Sequence, residues 1–250
     1  MKIGIIGAGA IGSVLAAKWA RGGHSVALAN SRGPASLAEL AAKVGARAAT
    51  VEDAVRDAEV VVVTIPQKAV PLLPKDLFRD APASVIVVDT GNYYPSFRDG
   101  RIDAIEDGLT ESEWVARELG RPVFKLFNSI MSHSLAEGGL PAGAPGRIAL
   151  PIAGDDARGK QILVGLVDEL GFDGVDAGSL NESWRQQPGA PAYCTDYDAA
   201  GLRRALARAD RAGLAAARER AIAWMQKMPA GTTPAEMVRT VREIQDAQAP

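Results

Sequence analysis

The chain has 250 residues, of which 47% are hydrophobic, 23% charged and 5% aromatic, and its formal net charge is −2, as in an ordinary globular protein. One cysteine and two histidines exclude a disulfide framework and predict no metal site, and the weak charge predicts no nucleic-acid partner. No apolar run reaches about 18 residues and the chain starts on a strand-like segment, so we expect a cytoplasmic protein without a membrane span.

The first part of the chain alternates apolar strands with amphipathic helices. The predicted strands are Lys2–Ile6, Ser25–Ala29, Glu59–Ile65, Ser84–Asp89, Val123–Phe127, Arg147–Ala153 and Phe172–Asp176. The predicted helices cover residues 10–21 and 34–44, a short helix that Thr50 caps and that runs through Ala58, a segment that follows the capping-box pair Thr110 and Glu113, and a helix that Asp155 caps and that runs to Leu170. Because strands joined by helices pair in parallel, we predict an α/β fold with a doubly wound, Rossmann-type parallel sheet.

The strand pattern stops near residue 180. Residues 198–228 form one long helical pattern whose apolar stripe is rich in small residues, and Thr233 precedes a final helix. A small helical unit cannot bury such a stripe alone, so it must pack on the sheet, on a second protomer or on both. We predict a dinucleotide-binding domain over residues 1–180 and a C-terminal helical region over residues 181–250, with a homodimer through these helices.

A glycine-rich segment between the first strand and the first helix predicts nucleotide binding. It reads Gly7-Ala8-Gly9-Ala10-Ile11-Gly12, the GxGxxG pattern in its expected βαβ context. Gly7 permits the tight turn, Gly9 lets a pyrophosphate approach the backbone, and Gly12 lets the helix pack on the strand. The N–H groups and dipole at the helix N-terminus favour the phosphate charge, so we expect these six residues to bind a dinucleotide.

The end of the second strand indicates which dinucleotide is bound. A protein that binds NAD usually has a carboxylate here, which holds the ribose hydroxyls. This chain has Asn30, Ser31 and Arg32 instead. A serine hydroxyl and an arginine guanidinium suit a 2′-phosphate, so the segment favours NADP over NAD.

Two more strand ends carry small or polar residues. Thr64, Ile65 and Pro66 end one strand, and Gly91 and Asn92 follow the next. Since ligands of open α/β sheets bind at the carboxyl ends of the strands, we predict that these residues lie on the nicotinamide side of the cofactor.

Three side chains are candidate catalytic groups. Lys125 and Phe127 are predicted to share one face of a strand, and Lys125 is either an ion-paired structural residue or a site residue. Asn128 is placed to reach a substrate or the nicotinamide amide. His133 is able to transfer protons near neutral pH, although a structural or surface role is expected more often for such a residue. The segment Trp184–Tyr193 is predicted to line a pocket or to form a protomer contact.

The segments GAGAIG, ANSRGP, VVVTIP, DTGNYYP and VFKLFNSI together resemble the bacterial NADP-dependent oxidoreductases related to deazaflavin:NADP oxidoreductase, over residues 1–195. The resemblance implies an NADP-binding domain, a small C-terminal region, commonly a dimer, and hydride transfer between NADP and a flavin-like partner. The positions that it implies are Ala8 to Ile11 at the pyrophosphate, Ser31 and Arg32 at the 2′-phosphate, Ile65 and Pro66 on the nicotinamide side, and Asn92 and Asn128 near the acceptor.

The leading hypothesis is therefore an NADP(H)-dependent oxidoreductase that transfers hydride between the nicotinamide and a flavin or deazaflavin. The first alternative is an NADPH-dependent reductase of a small carbonyl or imine compound. That reaction needs a proton donor, for which Lys125 and His133 are the candidates. The second alternative is a non-catalytic NADP(H) sensor that acts through its helical tail.

Overall fold

The molecule is built around a large parallel sheet with helices on both faces. In the computed structural model, which describes residues 1–246, six strands pair in the order β3-β2-β1-β4-β5-β6, and two more form a small parallel sheet. The described strands are β1 (Lys2–Ile6), β2 (Ser25–Ala29), β3 (Arg47–Ala49), β4 (Val60–Val63), β5 (Ile86–Asp89), β6 (Phe124–Lys125), β7 (Ala149–Ile152) and β8 (Asp173–Asp176). The strand order reverses between β1 and β4, which confirms the predicted doubly wound, Rossmann-type fold.

Helices connect these strands and continue after β8. The described α-helices are α1 (Ala10–Arg21), α2 (Ala38–Val44), α3 (Val51–Val55), α4 (Asp103–Glu106), α5 (Glu111–Leu119), α6 (Ser132–Glu137), α7 (Ala157–Glu169), α8 (Ala199–Ala207), α9 (Leu214–Lys227) and α10 (Pro234–Asp246). Short 3-10 helices cover Pro34–Leu37, Gln67–Leu72 and Leu180–Gln186. Within the described residues, no helix has the length and apolar character needed to cross a membrane.

The core lies on both faces of the large sheet. All four residues of β4 are buried, as expected for a central strand that is covered on each side. One face packs against α1 and α7, where Trp19 and Leu166 belong to the same apolar cluster. The other face packs against α3 and α5 through Val55 and Trp114. Each such buried side chain contributes roughly 1.5–3 kcal/mol, so the sheet is a rigid base for the loops at its edges.

The register of the strands brings the predicted site segments to one edge. Ile6 of β1 pairs with Ala29 of β2 and with Val63 of β4, Val63 pairs with Asp89 of β5, and Asp89 pairs with Lys125 of β6. The segments that follow these paired residues therefore leave the sheet side by side at its carboxyl edge.

The sixth strand is shorter than predicted. It ends at Lys125, because Phe127 adopts a left-handed conformation with φ +62° and turns the chain. The prediction that Phe127 shares a face with Lys125 is therefore wrong. The Phe127 ring packs edge-on against Trp19 with ring centroids 5.8 Å apart, on the core face that Leu126 also occupies.

The C-terminal helical pattern also differs from the prediction. The single helix predicted over residues 198–228 is two helices, α8 and α9, which are separated at residues 208–213. The Asp210 carboxylate accepts hydrogen bonds from the backbone N–H groups of Ala212 and Gly213, which starts a new turn. Residues 247–250 of the predicted helical region lie outside the described residues.

The predicted helix caps were mostly correct. The side chain of Thr50 accepts a hydrogen bond from the Asp53 backbone, and Thr110 forms the predicted capping box. The cap of α7 is Asp156 rather than Asp155. Asp155 instead accepts a hydrogen bond of 3.0 Å from the Leu180 backbone and so joins two loops.

Candidate active site

The glycine-rich loop that joins β1 to α1 leaves open space in front of the helix. Gly7 has φ +117°, and a Cβ atom there would lie 2.2 Å from the Thr64 carbonyl oxygen. A Cβ atom at Gly12 would lie 2.0 Å from the Gly7 carbonyl oxygen. A Cβ atom at Gly9 would meet nothing within 4 Å among the described atoms. The fold therefore requires glycine at Gly7 and Gly12, whereas glycine at Gly9 keeps a space clear.

This space faces the N-terminus of α1, which attracts anions. Gly9 is the N-cap residue, and no described side chain makes a capping hydrogen bond there. The first backbone N–H groups of a helix have no partner within the helix, and the helix dipole adds positive potential. The arrangement fits a phosphate or pyrophosphate group.

One cavity opens on the β2 side of the glycine loop. This β2-side cavity has a volume of about 530 Å³. Its walls include five residues that were predicted to bind the cofactor, which are Gly7, Asn30, Ser31, Ile65 and Pro66. Thr64 lies behind the glycine loop, where its backbone and methyl group contact Gly7 and Gly12.

The loop after β2 is fixed by Asn30. The Asn30 side chain accepts a hydrogen bond of 2.9 Å from the Arg32 backbone N–H and exchanges hydrogen bonds with the Ser36 hydroxyl. Arg32 itself is exposed and lies in the chain between the lining residues Ser31 and Gly33. Asn30 thus holds the backbone that presents Ser31 and Arg32.

The sequence interpretation missed Glu52. This residue lies in the first turn of α3 and lines the β2-side cavity.

A second cavity opens on the β5 side of the same loop. This β5-side cavity has a volume of about 450 Å³ and begins at Ala10 and Ile11 of α1. Thr90, Asn92 and Asn128 line it from the ends of β5 and β6. Its apolar walls come from the loop after β6 and from the C-terminal helices, and they include Phe127, Met131, Trp224, Met228, Met237 and Val241. The stripe of the helical tail is therefore buried partly against the site of its own chain.

Amide side chains form a network on the floor of the β5-side cavity. The Asn128 amide group donates to Asn92 Oδ1 at 3.2 Å and to the Gln186 carbonyl oxygen at 2.7 Å. The Asn92 amide donates in return to the Asn128 carbonyl oxygen at 3.0 Å. Gln186 Nε2 donates to Asn128 Oδ1 at 3.0 Å. Both N–H groups of Asn128 are used, whereas one N–H of Asn92 is left for a ligand.

Lys125 lies beneath this network as an ion-paired structural residue, one of the two roles predicted for it. Its ammonium group is fully buried and donates to Glu111 at 2.8 Å and to the Gly91 carbonyl oxygen at 2.7 Å. Asp89 accepts from the Gly91 N–H at 2.8 Å and from the Ser112 hydroxyl at 2.6 Å. Burial raises the pKa of Glu111, against the opposing effect of the Lys125 charge. The cluster fixes the Gly91 backbone and hence the neighbouring Asn92.

His133 lies away from this site. It is exposed on α6, where its ring nitrogen is 3.6 Å from the Glu137 carboxylate. Neither His133 nor Lys125 lines the β5-side cavity, and of the three candidate catalytic residues only Asn128 does.

Two tyrosines that the sequence interpretation did not select line the β5-side cavity. Tyr94 follows Asn92 by two positions, and Tyr193 ends the segment Trp184–Tyr193, which was predicted to line a pocket or to form a protomer contact. Their hydroxyl groups are 2.5 Å apart although the residues are separated by 99 positions. That separation hid the pair, because the two tyrosines belong to different segments and nothing in the sequence indicates that these segments meet.

The doubly wound sheet, its glycine loop and the two flanking cavities define a Rossmann-type dinucleotide-binding protein. A family model described as NADP oxidoreductase, coenzyme F420-dependent, matches residues 2–93. A solved structure of a hypothetical protein from Sinorhizobium meliloti is 31% identical with a TM-score of 0.60, over 73% of this chain and 87% of that one. The chain belongs to this family; it is an NADP-dependent oxidoreductase, and NADP is its cofactor.

Two further comparisons describe its relatives. A solved structure of a candidate F420-dependent NADP reductase from Arthrobacter sp. FB24 is 23% identical with a TM-score of 0.59, over 73% of this chain and 87% of that one. This likeness concerns the fold. The protein YjhV of Escherichia coli (strain K12) is 50% identical over 66 residues, which are 26% of this chain and 48% of that protein. The chain thus spans about half of the length of that curated relative.

Proposed function

We propose that the chain binds NADPH across the glycine loop and passes its hydride to a flavin- or deazaflavin-type acceptor in the β5-side cavity. When bound, the cofactor supplies a hydride from the nicotinamide ring. The observation that carries the proposal is the β5-side cavity, which begins at the N-terminus of α1 and is closed by apolar side chains of α9 and α10. The residues of the chain bind, orient and shield the two ligands.

The β2-side cavity is proposed to hold the adenosine half of the cofactor. Ser31 lines it, and the exposed Arg32 is the next residue in the chain. These two residues would bind the 2′-phosphate through a hydroxyl and a guanidinium group. Ile65 and Pro66 would pack on the adenosine, a placement that differs from the nicotinamide side that the strand ends predicted and that the family resemblance implied. The pyrophosphate would lie at the N-terminus of α1, in the space that Gly9 keeps open.

The nicotinamide is proposed to enter the β5-side cavity past Ala10 and Ile11. Asn92 has one amide N–H left for it, and the Asn128 network fixes the orientation of that amide. Gly91 holds Asn92 in place through the buried Lys125 cluster and does not itself line the cavity. Fixing these groups before the ligand binds lowers the ordering cost of the reactive arrangement.

The acceptor is proposed to be a planar ring system. The cavity is of the size of ordinary small-molecule sites, and apolar walls suit a flat aromatic ligand. Met225, Met228 and Met237 contribute flexible, polarisable side chains that adapt to such a surface. These walls also exclude water from the hydride path. We further propose that residues 1–180 form the cofactor-binding domain and that the described part of the C-terminal helical region, residues 181–246, completes the acceptor site.

The proposal is tested by NADPH oxidation with an acceptor panel of a deazaflavin, FMN, and small carbonyl compounds with and without an amine. A flavin-type compound is expected to be reduced fastest. Trp224→Leu is expected to raise the KM for the acceptor about tenfold while leaving the Kd for NADPH unchanged. Trp184→Leu is the matched control, because Trp184 lies outside the cavity beneath Arg185 and Arg211.

Other outcomes of this panel favour the alternatives. Reduction of carbonyl or imine compounds alone identifies a small-molecule reductase instead. Tight NADPH binding without turnover of any acceptor identifies a sensor. The homodimer through the C-terminal helices remains a prediction, which light scattering of the purified chain tests.

A further inference from the structure

We propose that Tyr94 donates the proton that accompanies hydride transfer, and that Tyr193 is the positioning residue that holds and stabilises the Tyr94 hydroxyl. This inference rests on the proposed function, since it assumes that the acceptor occupies the β5-side cavity. Hydride transfer alone leaves a negative charge on the acceptor, and a nearby acid that neutralises this charge lowers the barrier.

The geometry of the tyrosine pair supplies such an acid. Both side chains line the cavity, and their hydroxyl oxygens are 2.5 Å apart, a short O–H···O hydrogen bond. Two hydroxyl groups carry two protons, and only one of them lies between the two oxygens. The other proton is available to a ligand in the cavity.

The surroundings indicate that Tyr94 is the residue that gives up its proton. The Arg98 guanidinium lies over the Tyr94 ring, 5.3 Å from its centroid, and also contacts the Asn92 carbonyl oxygen. Arg98 also pairs with the buried Asp99 carboxylate at 3.0 Å, and its remaining charge favours a phenolate on Tyr94 rather than on Tyr193. Tyr193 therefore donates its hydrogen bond to the Tyr94 oxygen, and the Tyr94 proton points to the ligand.

Opposing effects on the pKa of Tyr94 suit an acid that gives up its proton only when negative charge develops on the acceptor. Burial raises the pKa of Tyr94, so the hydroxyl remains protonated near neutral pH. The hydrogen bond from Tyr193 and the charge of Arg98 act in the opposite direction and stabilise the phenolate once the proton has left.

The other described residues that line the cavity are weaker candidates. Cys194 is the remaining acidic side chain there, and burial raises the pKa of its thiol to about 12. Thr90 and Ser132 offer aliphatic hydroxyl groups, which ionise much less readily than a phenol. Lys125 and His133, the candidate donors for the alternative carbonyl or imine reductase, lie outside the cavity.

The step balances as follows. The hydride brings one hydrogen nucleus and two electrons to the acceptor, and negative charge moves to a conjugated heteroatom. The O–H bond of Tyr94 breaks and its proton forms a bond to that heteroatom. Tyr94 is left as a phenolate, held by the Tyr193 hydroxyl and the Arg98 charge, and regains a proton from water when the product leaves.

Steady-state and isotope measurements on Tyr94→Phe and Tyr193→Phe test the proposal, with whichever acceptor the wild-type chain reduces. Tyr94→Phe is expected to lower kcat about 100-fold or more, the range for loss of a general acid, and to change the solvent deuterium isotope effect. Tyr193→Phe is expected to lower kcat about tenfold. The Kd for NADPH should be unchanged in both. Tyr197→Phe is the control, since that ring packs under Arg242 outside the cavity.

Tyrosine ionisation provides a readout that needs neither cofactor nor turnover. In an ultraviolet pH titration of the folded chain, Tyr94→Phe should remove one group that ionises above the ordinary value of 10. Tyr193→Phe should shift the ionisation of Tyr94 upward, because its phenolate loses a hydrogen bond. A tyrosine without a hydrogen bond from Tyr193 would not give this coupling, so the titration tests the pair, and the isotope effect tests the proton transfer.

The results separate failure of this inference from failure of the proposed function. If the wild-type chain reduces no acceptor, the proposed function is wrong, and the titration alone then judges whether the pair is coupled. If Tyr94→Phe keeps the wild-type kcat and isotope effect, or if Tyr94 ionises as an independent, ordinary tyrosine, Tyr94 is not the proton donor.

Discussion

Two alanine substitutions in the glycine loop separate its role in folding from its role in cofactor binding. Gly12→Ala places a Cβ atom 2.0 Å from the Gly7 carbonyl oxygen and 2.9 Å from the Thr64 methyl group, so α1 must move away from β1. Such overpacking costs about 1–3 kcal/mol, and each kcal/mol lowers the melting temperature by about 2–4 °C in a chain of this size. Gly12→Ala is therefore expected to unfold several degrees earlier than the wild-type chain.

Gly9→Ala is expected to weaken NADPH binding while leaving the stability of the fold nearly unchanged. Its Cβ atom meets no described atom within 4 Å, and its φ of −79° suits an alanine. The change in stability should be about 1 kcal/mol or less, which includes the loss of a glycine N-cap. The added methyl group occupies the space where the pyrophosphate would approach, so the Kd for NADPH should rise at least tenfold, or about 1.4 kcal/mol.

Thermal unfolding and calorimetric titration with NADPH measure both effects on the same samples. The reasoning is refuted if Gly9→Ala binds NADPH with the wild-type Kd, since the pyrophosphate then lies elsewhere. It is also refuted if Gly9→Ala loses as much stability as Gly12→Ala.

Two further predictions concern the buried cluster beneath Asn92. Lys125→Met leaves the Glu111 and Asp89 carboxyl groups without their buried cation, so urea denaturation should show a loss of about 3–5 kcal/mol; an unchanged midpoint would contradict the ion-pair assignment. Burial raises the pKa of Glu111 above its ordinary value of 4.5. The folded chain therefore retains a proton on Glu111 at pH values where the unfolded chain has lost it. The contribution of Glu111 to the free energy of unfolding falls as the pH rises above 4.5. Glu111→Gln should flatten the decline in a series of melting curves at increasing pH, and an unaltered slope would assign the decline to other groups.

Much of the fold was predictable because it depends on local patterns that repeat. The apolar run of β4 and the glycine loop before α1 are read directly from neighbouring residues. Parallel pairing then places Asn30, Pro66 and Asn92 at one edge, since each follows a strand whose end lies there. That these segments lie close together was therefore predictable from the sequence, without knowledge of tertiary contacts.

The details that the sequence did not predict depend on contacts between distant segments or on single backbone angles. The left-handed conformation of Phe127 ends β6 early, and a phenylalanine carries no signal for it. Gln186 meets Asn128 across 58 positions, and Tyr94 meets Tyr193 across 99. The break between α8 and α9 was missed because the apolar stripe continues through it, whereas the capping role of Asp210 is visible only in the structure.

Ser31 and Arg32 are proposed to bind the 2′-phosphate of NADP, and the choice of NADP over NAD depends on this contact. Calorimetric titration of the wild-type chain and of Arg32→Ala with NADPH and NADH tests it most directly, with Arg79→Ala as a control on an exposed arginine. A charge-assisted hydrogen bond contributes about 1.5–3 kcal/mol, so the wild-type chain should bind NADPH at least tenfold more tightly than NADH. Arg32→Ala should remove most of that preference and leave the Kd for NADH unchanged. Equal affinities of the wild-type chain for both nucleotides, or no binding heat with either, would contradict the account.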